Sequence, residues 1–224
     1  MKEKIFLIVA ASLLFISCAT TSYTTGLTKG EAYANMYQEK PKVILIMPPI
    51  NKTNKVEAKE YFYSSLAQPL CERGYYVISP IIALDFLKAE SAYNSEQFLS
   101  GNINMFNQFM GADALLFTTI TEWSKTLLSG SITVEIEYEM RSTKTGDTLF
   151  KRKGTLRLDK SSSGNGLASL LATAIVTGLT DKIEAARTCN YYVLKDLPQG
   201  AYAPLFMKDQ KTPSAGPTFN DTAR

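Results

Sequence analysis

The feature that most constrains the fold is a strict alternation of polar and apolar residues over the segment 131–140. Alternation with a period of two is typical of a β-strand that buries one face and exposes the other. A turn-forming segment, 143–147, follows, and a second strand-like run extends over 148–158. The polar positions of the first run include Glu135, Glu137 and Glu139. The two runs predict an antiparallel hairpin with one solvated face.

The simplest register of this hairpin places Glu139 opposite Lys151 and Glu137 opposite Lys153. A row of glutamates is compatible with a cation or acid–base site, and also with cross-strand charge pairs on a solvated sheet face. Charge pairing accounts for both residue types without a ligand, so we interpret this face as a solvated one.

A βαβ pattern precedes the hairpin. The aliphatic run 42–47 is typical of a strand buried on both faces, and 75–78 reads as a second strand. Between them, Asn54 followed by Glu57 resembles a capping box and predicts a helix that ends at Gly74. The buried stripe of this helix is predicted to contain Phe62, Leu66 and Leu70.

Two shorter helices, 81–89 and 102–110, and a third strand, 114–120, are predicted next. Near the carboxyl end the almost wholly apolar run 167–179 continues as an amphipathic helix to Arg187. Such a helix needs cover on more than one side, from the sheet and from a second subunit or partner. The residues expected at that surface are Leu167, Leu170, Leu171 and Ile175.

These segments predict an α/β fold. We expect a three-layer-like mixed sheet with an amino-terminal βαβ unit, an antiparallel hairpin and a long carboxyl-terminal helix.

The first residues have the parts of an export signal. Lys2 and Lys4 precede the apolar run 5–16, and the small residue Ser17 precedes Cys18. The run is too short to cross a bilayer as a helix. A cysteine directly after the cut resembles a bacterial lipobox, so Cys18 is the predicted lipid attachment site. The alternative is an ordinary secretory signal with an incidental cysteine.

Four segments follow from this interpretation. Residues 1–17 are the predicted signal peptide, 18–40 a lipidated tether, 41–206 a single α/β domain, and 207–224 a disordered tail rich in polar residues. Because Ala19 follows the cysteine in place of the aspartate that often retains lipoproteins in an inner membrane, we expect the periplasmic face of the outer membrane.

Composition argues against an enzyme. The chain has no histidine, which removes the commonest general base and metal ligand. If Cys18 carries lipid, the two remaining cysteines are too few for a cysteine-only zinc site. A formal net charge of +3, with no basic run longer than 151–153, argues against a nucleic-acid partner. We therefore expect no catalytic residues, no cofactor and no metal.

Several short motifs occur in a specific order between residues 42 and 203. They are the segments 46–54, 56–58, 69–77, 109–116, 144–149 and 179–181, with Trp123 and Tyr138 between them. Their order resembles a family of bacterial lipoproteins of unknown function, known from a neisserial lipoprotein. The family implies an α/β domain behind a lipid anchor and offers no catalytic residues.

The same family is distantly similar to the periplasmic domain of the curli-secretion channel lipoprotein and to the amino-terminal domain of the Tol-system β-propeller protein. Its members are often encoded near a curli-channel-like lipoprotein, which implies a shared envelope complex.

Cys71 and Cys189 depart from the small residues expected in that family. In an oxidising periplasm they can pair, and a loop of this length would then gain roughly 4–5 kcal/mol of stability in the chain-entropy model. The alternative is two buried thiols that pack as small hydrophobic groups.

The loop that contains Asn51, Thr53 and Asn54 follows the first predicted strand. Open α/β sheets place ligands at this edge, so the three residues are candidates for a small binding pocket. Turn and capping chemistry explains the same residue types.

The sequence thus predicts a lipid-anchored accessory or assembly subunit of an envelope secretion or transport complex. The expected partners are other outer-membrane lipoproteins of the curli-channel-like kind and a second copy of the chain. The alternative is a periplasmic module that binds small molecules or peptidoglycan fragments.

Overall fold

A seven-stranded mixed sheet forms the centre of the structure, a computed structural model that describes residues 26–126, 131–158 and 180–223. The predicted signal peptide and Cys18 lie outside the described residues, as does the apolar run 167–179.

The strands are β1 Val43–Ile46, β2 Ile50–Asn51, β3 Tyr76–Val77, β4 Ala114–Lys125, β5 Ile132–Ser142, β6 Thr148–Leu158 and β7 Thr218–Ala223. The helices are α1 Lys29–Ala32, α2 Ala34–Glu39, α3 Ala58–Ser65, α4 Ala67–Glu72, α5 Pro80–Ala89, α6 Asn104–Met110 and α7 Thr180–Leu194, with a 3₁₀ turn at Ser95–Phe98.

The strand order is β3-β1-β4-β5-β6-β7, and the short β2 also pairs with β4. β1 is parallel to both β3 and β4, so β1, the helices α3 and α4, and β3 form the predicted βαβ unit. β4, β5 and β6 are antiparallel neighbours, and β7 is parallel to β6. The predicted fold class is therefore confirmed.

Helices cover both faces of the sheet at β1 and β4. On one face α3, α4 and α7 contribute to a core that includes Ile44, Leu116 and Tyr138. On the other face α5 and α6 cover a smaller core that includes Leu45 and Phe117. Successive strand residues point to opposite faces, so these aliphatic runs supply both cores at once.

The hairpin has the predicted register, with Glu139 opposite Lys151 and Glu137 opposite Lys153. The Nζ atom of Lys151 lies 2.8 Å from a carboxylate oxygen of Glu139 and 2.9 Å from one of Glu137. These ion pairs confirm the interpretation of this face as a solvated one with charge pairs. Within the described ranges, no group of acidic or cysteine side chains has the arrangement of a metal site.

The helix predicted after Asn54 is shorter than expected and divided in two. α3 begins only at Ala58, and its N-cap residue Glu57 makes no side-chain capping bond. The division follows from Pro69, which has no N–H to donate to the carbonyl of Ser65 four residues earlier.

The prediction of a tether over 18–40 is wrong for residues 28–40. Thr28 and Glu31 form a complete capping box at the start of α1. Tyr33, Met36 and Tyr37 are buried against the larger core, because their spacing of three and four residues puts them on one side of the α1–α2 segment.

The prediction of a disordered tail over 207–224 is wrong for residues 207–223, which include β7. Phe219 is buried beside β6 at Gly154, where a Cβ atom would lie only 1.9 Å from the Phe219 carbonyl oxygen. The two terminal segments also meet, since Lys29 N–H donates to Thr212 O (2.8 Å). The folded unit is therefore wider than the predicted 41–206.

Candidate functional site

The predicted ligand loop uses its polar groups on itself. The Asn51 Oδ1 atom accepts hydrogen bonds from Thr53 N–H (3.0 Å) and Thr53 Oγ1 (2.8 Å), and Asn51 Nδ2 donates to Lys55 O (2.7 Å). Asn54 is exposed. This is the bonding that turn chemistry predicts, and it leaves the Asn51 amide with little capacity for a ligand.

The sequence left open whether Cys71 and Cys189 form a disulfide, and the structure has both as free thiols. Cys71 is exposed on α4, whereas Cys189 is fully buried on α7, and both thiols are free. The two side chains point into different environments, one into solvent and one into the core under the sheet. Burial raises the pKa of the Cys189 thiol to about 12, so Cys189 packs as a small hydrophobic group.

The remaining predicted site residues stay predictions. Cys18 lies outside the part of the chain that the structure describes, and so do the candidate interface residues Leu167, Leu170, Leu171 and Ile175.

An exposed apolar surface lies at one edge of the sheet. β3 is the edge strand there, and Tyr76 on it is 58% exposed. Ile81 and Ile82, in the first turn of α5, are 75% and 67% exposed. Ala83 and Leu87 of the same helix are fully buried, so the inner side of α5 already packs against the smaller core. We call Tyr76, Ile81 and Ile82 the β3–α5 surface.

A charged cavity of about 380 Å³ lies where the two terminal segments meet the end of α7. α1, β6, α7 and the segment 195–215 contribute to its wall. Its charged lining residues are Lys29, Arg73, Arg152, Lys195, Asp196 and Asp209. Four cations and two carboxylates give the lining a formal net charge of +2.

Both carboxylates are held by hydrogen bonds from the protein. Asp196 accepts from the Tyr33 hydroxyl and from Ala215 N–H (3.0 Å). Asp209 accepts from the Tyr37 hydroxyl (3.0 Å) and from a backbone N–H of residue 199 (2.9 Å). These bonds fix α1 and α2 to the carboxyl-terminal segment.

The cations of the cavity have weaker partners. Arg152, only 2% exposed, donates from Nε to Gly216 O (2.9 Å) and from Nη1 to Val193 O (3.0 Å), which are neutral acceptors. Arg73 donates from Nη2 to the Leu197 carbonyl, while its buried Nε finds no hydrogen-bond partner among the described residues. Lys29 lies 3.9 Å from a carboxylate oxygen of Asp196, beyond hydrogen-bond distance.

The electrostatics of the cavity follow from this arrangement. Burial, and then repulsion by Arg73, lowers the pKa of Lys29, although Asp196 and Asp209 oppose the shift. Burial is also the main cause that lowers the pKa of Arg73. Both shifts are thus mainly an effect of burial, and the formal charge of the lining remains +2.

Sequence reasoning did not identify this cavity. One signal was present: strand alternation puts Arg152 on the same face of β6 as Phe150 and Leu156, which are buried. A charged residue at an inward position of an apolar strand face needs buried hydrogen-bond partners, so Arg152 indicates a buried polar site.

Comparisons with known proteins agree on one family. The family model described as "Putative lipoprotein GNA1162-like" matches residues 31–192. A relative in Neisseria meningitidis serogroup B, described as "Putative lipoprotein NMB1124/NMB1162", is 27% identical over 187 residues, which cover 80% of this chain and 87% of the relative.

The comparison with solved structures includes a member of the same family. The crystal structure of lipoprotein GNA1162 from Neisseria meningitidis aligns with a TM-score of 0.50 at 28% identity and covers 61% of this chain and 96% of that chain. A PelC dodecamer from Paraburkholderia phytofirmans aligns less well, with a TM-score of 0.38 at 19% identity over 72% of this chain and 90% of that chain.

None of the helices within residues 26–126, 131–158 and 180–223 combines the length and the apolar character that crossing a bilayer requires.

Proposed function

The chain belongs to the family described as "Putative lipoprotein GNA1162-like", and from this premise we propose that it is a non-enzymatic accessory or assembly subunit of a cell-envelope secretion or transport complex. It is anchored by lipid at Cys18 to the periplasmic face of the outer membrane. It acts by binding partner proteins.

The anchor is supported by the family and by the sequence around Cys18. Two lysines, a short apolar run and a small residue precede the cysteine, and Ala19 follows it. A diacylglycerol on the thiol and a third acyl chain on the new amino end would hold the protein firmly, since each buried methylene contributes about 0.8 kcal/mol.

Partner binding is supported by the β3–α5 surface, and this is the observation that carries the proposal. Ile81 and Ile82 are consecutive and each more than half exposed, and neighbouring exposed apolar side chains of this kind are typical of interaction surfaces. The edge strand beside them has one unpaired side in the described sheet, so a partner can add a strand or lay a helix against it. A second proposed contact region consists of Leu167, Leu170, Leu171 and Ile175.

A non-enzymatic role is supported by the lack of histidine in the sequence and by the bonding of the acidic side chains. Asp113, Asp196 and Asp209 are each engaged by backbone or hydroxyl donors. Carboxylates used in this way serve the structure rather than proton transfer.

The test is to cross-link intact cells, purify the lipidated protein through a carboxyl-terminal tag and identify by mass spectrometry what accompanies it. We expect other outer-membrane lipoproteins or a channel component in the purified fraction. Recovery of the protein alone, at monomer mass, would contradict the assembly-subunit proposal.

A further inference from the structure

The charge balance of the cavity between the terminal segments points to a ligand. Arg73, Arg152 and Lys29 converge on it from α4's carboxyl end, from β6 and from α1. Among the residues that the structure describes, none of the three has a carboxylate within hydrogen-bond distance. The carboxylates that are present, Asp196 and Asp209, already accept bonds from tyrosine hydroxyls and backbone N–H groups.

Buried positive charge is expensive when its counter-ions lie beyond hydrogen-bond distance, as Asp196 does from Lys29 at 3.9 Å. A guanidinium or ammonium removed from water keeps its charge at low cost only when an anion or several good acceptors replace the solvent. Arg152 has two carbonyl acceptors and faces the Tyr192 and Phe219 rings, which partly compensate its charge. The buried Nε of Arg73, by contrast, has no acceptor in the described structure. The site is thus incomplete in a way that an anion would remedy.

The shape and the chemistry of the wall limit the class of anion. The volume of about 380 Å³ admits a small molecule rather than a folded partner. Leu205, Pro213 and the ring of Tyr192 supply an apolar part of the lining beside the cations. Planar guanidinium groups suit the oxygens of carboxylate and phosphate groups.

We propose that this cavity binds a small organic anion that carries a carboxylate or phosphate group, with Arg73 and Lys29 as the principal contacts and Lys195 as an exposed contributor. Arg152 positions the wall through its bonds to Val193 and Gly216 and adds positive potential. This site is separate from the β3–α5 surface, so it does not rest on the proposed function, and either proposal can fail alone.

The test uses the purified full-length lipidated protein in detergent and follows thermal unfolding. Sodium phosphate and sodium succinate are compared with sodium chloride at equal ionic strength, so that the two anion chemistries are separated from general salt effects. We expect phosphate or succinate to raise the midpoint in a saturable way beyond the chloride control. If neither exceeds chloride, the proposal is overturned.

Variants identify the site. Arg73→Gln and Lys29→Met should each weaken binding of the active anion by about tenfold or more, the loss expected for one charge-assisted hydrogen bond. Lys208→Gln, an exposed lysine outside the lining, is the matched control and should bind like the parent.

If the Arg73→Gln or Lys29→Met protein does not fold, Lys195→Gln still tests the site, because Lys195 is exposed and its loss leaves the core intact. We expect it to weaken binding more than Lys208→Gln does. Equal affinities for these two variants, or undiminished binding by a folded Arg73→Gln protein, would contradict the assignment of the site.

Discussion

At the scale of single residues, Asp113 joins three parts of the fold. Its Oδ2 atom accepts hydrogen bonds from the N–H groups of Lys42 (3.0 Å) and Val43 (3.1 Å), and its Oδ1 atom lies 3.1 Å from Lys144 Nζ. Partial burial is the largest single influence and raises the pKa of Asp113. The two N–H groups and the Lys144 ammonium outweigh it together, so the pKa lies below its ordinary value.

This pKa predicts how stability depends on pH. Because the folded-state pKa is below the unfolded-state pKa of about 4, the stabilisation is present above that pH and is lost as the pH falls through the folded-state value. We expect Asp113→Asn to lower the free energy of unfolding by about 1–2 kcal/mol at pH 7, and by progressively less as the pH falls below about 4.

Urea unfolding at several pH values measures this effect. Asp147→Asn is the matched control, because Asp147 is exposed in the same hairpin turn. A loss for Asp113→Asn that does not change with pH, or one equal to that of the control, would contradict the role assigned to the Asp113 carboxylate.

The two cysteines that the structure describes differ in accessibility. At neutral pH a maleimide should label Cys71 in the native protein and should reach Cys189 only after unfolding, because Cys189 is fully buried and its thiol pKa is raised to about 12. Peptide mass spectrometry reads both sites. Labelling of neither cysteine until a reductant is added would show that the two are bonded.

Residue-scale features were predictable where they depend on alternation. The pairing of Glu139 with Lys151 follows from the period of two and the turn length. The role of Arg152 did not follow, because its acceptors, Val193 and Gly216, are 41 and 64 residues away along the chain. The same is true of Asp196 and Asp209, whose tyrosine partners come from a segment that we predicted to be unstructured.

At the scale of elements, the terminal segments depend on each other. α1 lies against the carboxyl-terminal segment through Lys29 N–H to Thr212 O (2.8 Å) and Gly30 N–H to Gln210 O (2.9 Å). The capping box of α1 is readable in the sequence, whereas β7 has a single buried aromatic residue, Phe219, among polar ones. A strand of that composition forms because β6 has a free edge whose backbone groups can pair with it. Local patterning does not indicate such a pairing.

Deletion of residues 214–224 should therefore destabilise the whole domain. It removes β7, the buried Phe219 ring and the Gly216 carbonyl that accepts from Arg152, leaving a buried charge with fewer partners. We expect the free energy of unfolding to fall by about 3–5 kcal/mol, as for other broken buried contacts of a charge and an aromatic ring.

Denaturant unfolding monitored by circular dichroism measures this loss. The double variant Asn220→Ala, Thr222→Ala alters exposed side chains of β7 and keeps its backbone, so it should unfold close to the parent. A deletion variant as stable as the parent would mean that residues 214–224 are the disordered tail that their composition suggests.

At the scale of the whole molecule, the fold class was predictable because strand and helix periods are local signals. The βαβ unit occupies 43–77 and the hairpin 132–158, so each is encoded by fewer than 40 consecutive residues. The cavity was not predictable, because it forms only where the first and last described segments meet α7.

The proposed anchor predicts where the protein resides. Cys18→Ser should move it from the membrane fraction to the soluble periplasmic fraction without a change in its thermal unfolding midpoint, because the acyl chains add membrane affinity and no contact in the described fold. Fractionation and incorporation of labelled palmitate measure both properties. A Cys18→Ser protein that stays in the membrane fraction and still incorporates palmitate would contradict the anchor.

We propose that this member of the family binds partners through the β3–α5 surface, and capture of cross-linked partners by variants of that surface tests this most directly. Ile81→Glu with Ile82→Glu places two charges on the exposed side of α5, while Val56→Glu does the same at another highly exposed apolar residue. We predict that the double variant folds normally and loses its captured partners, and that Val56→Glu retains them. Retention of all partners by a folded double variant would contradict the claim.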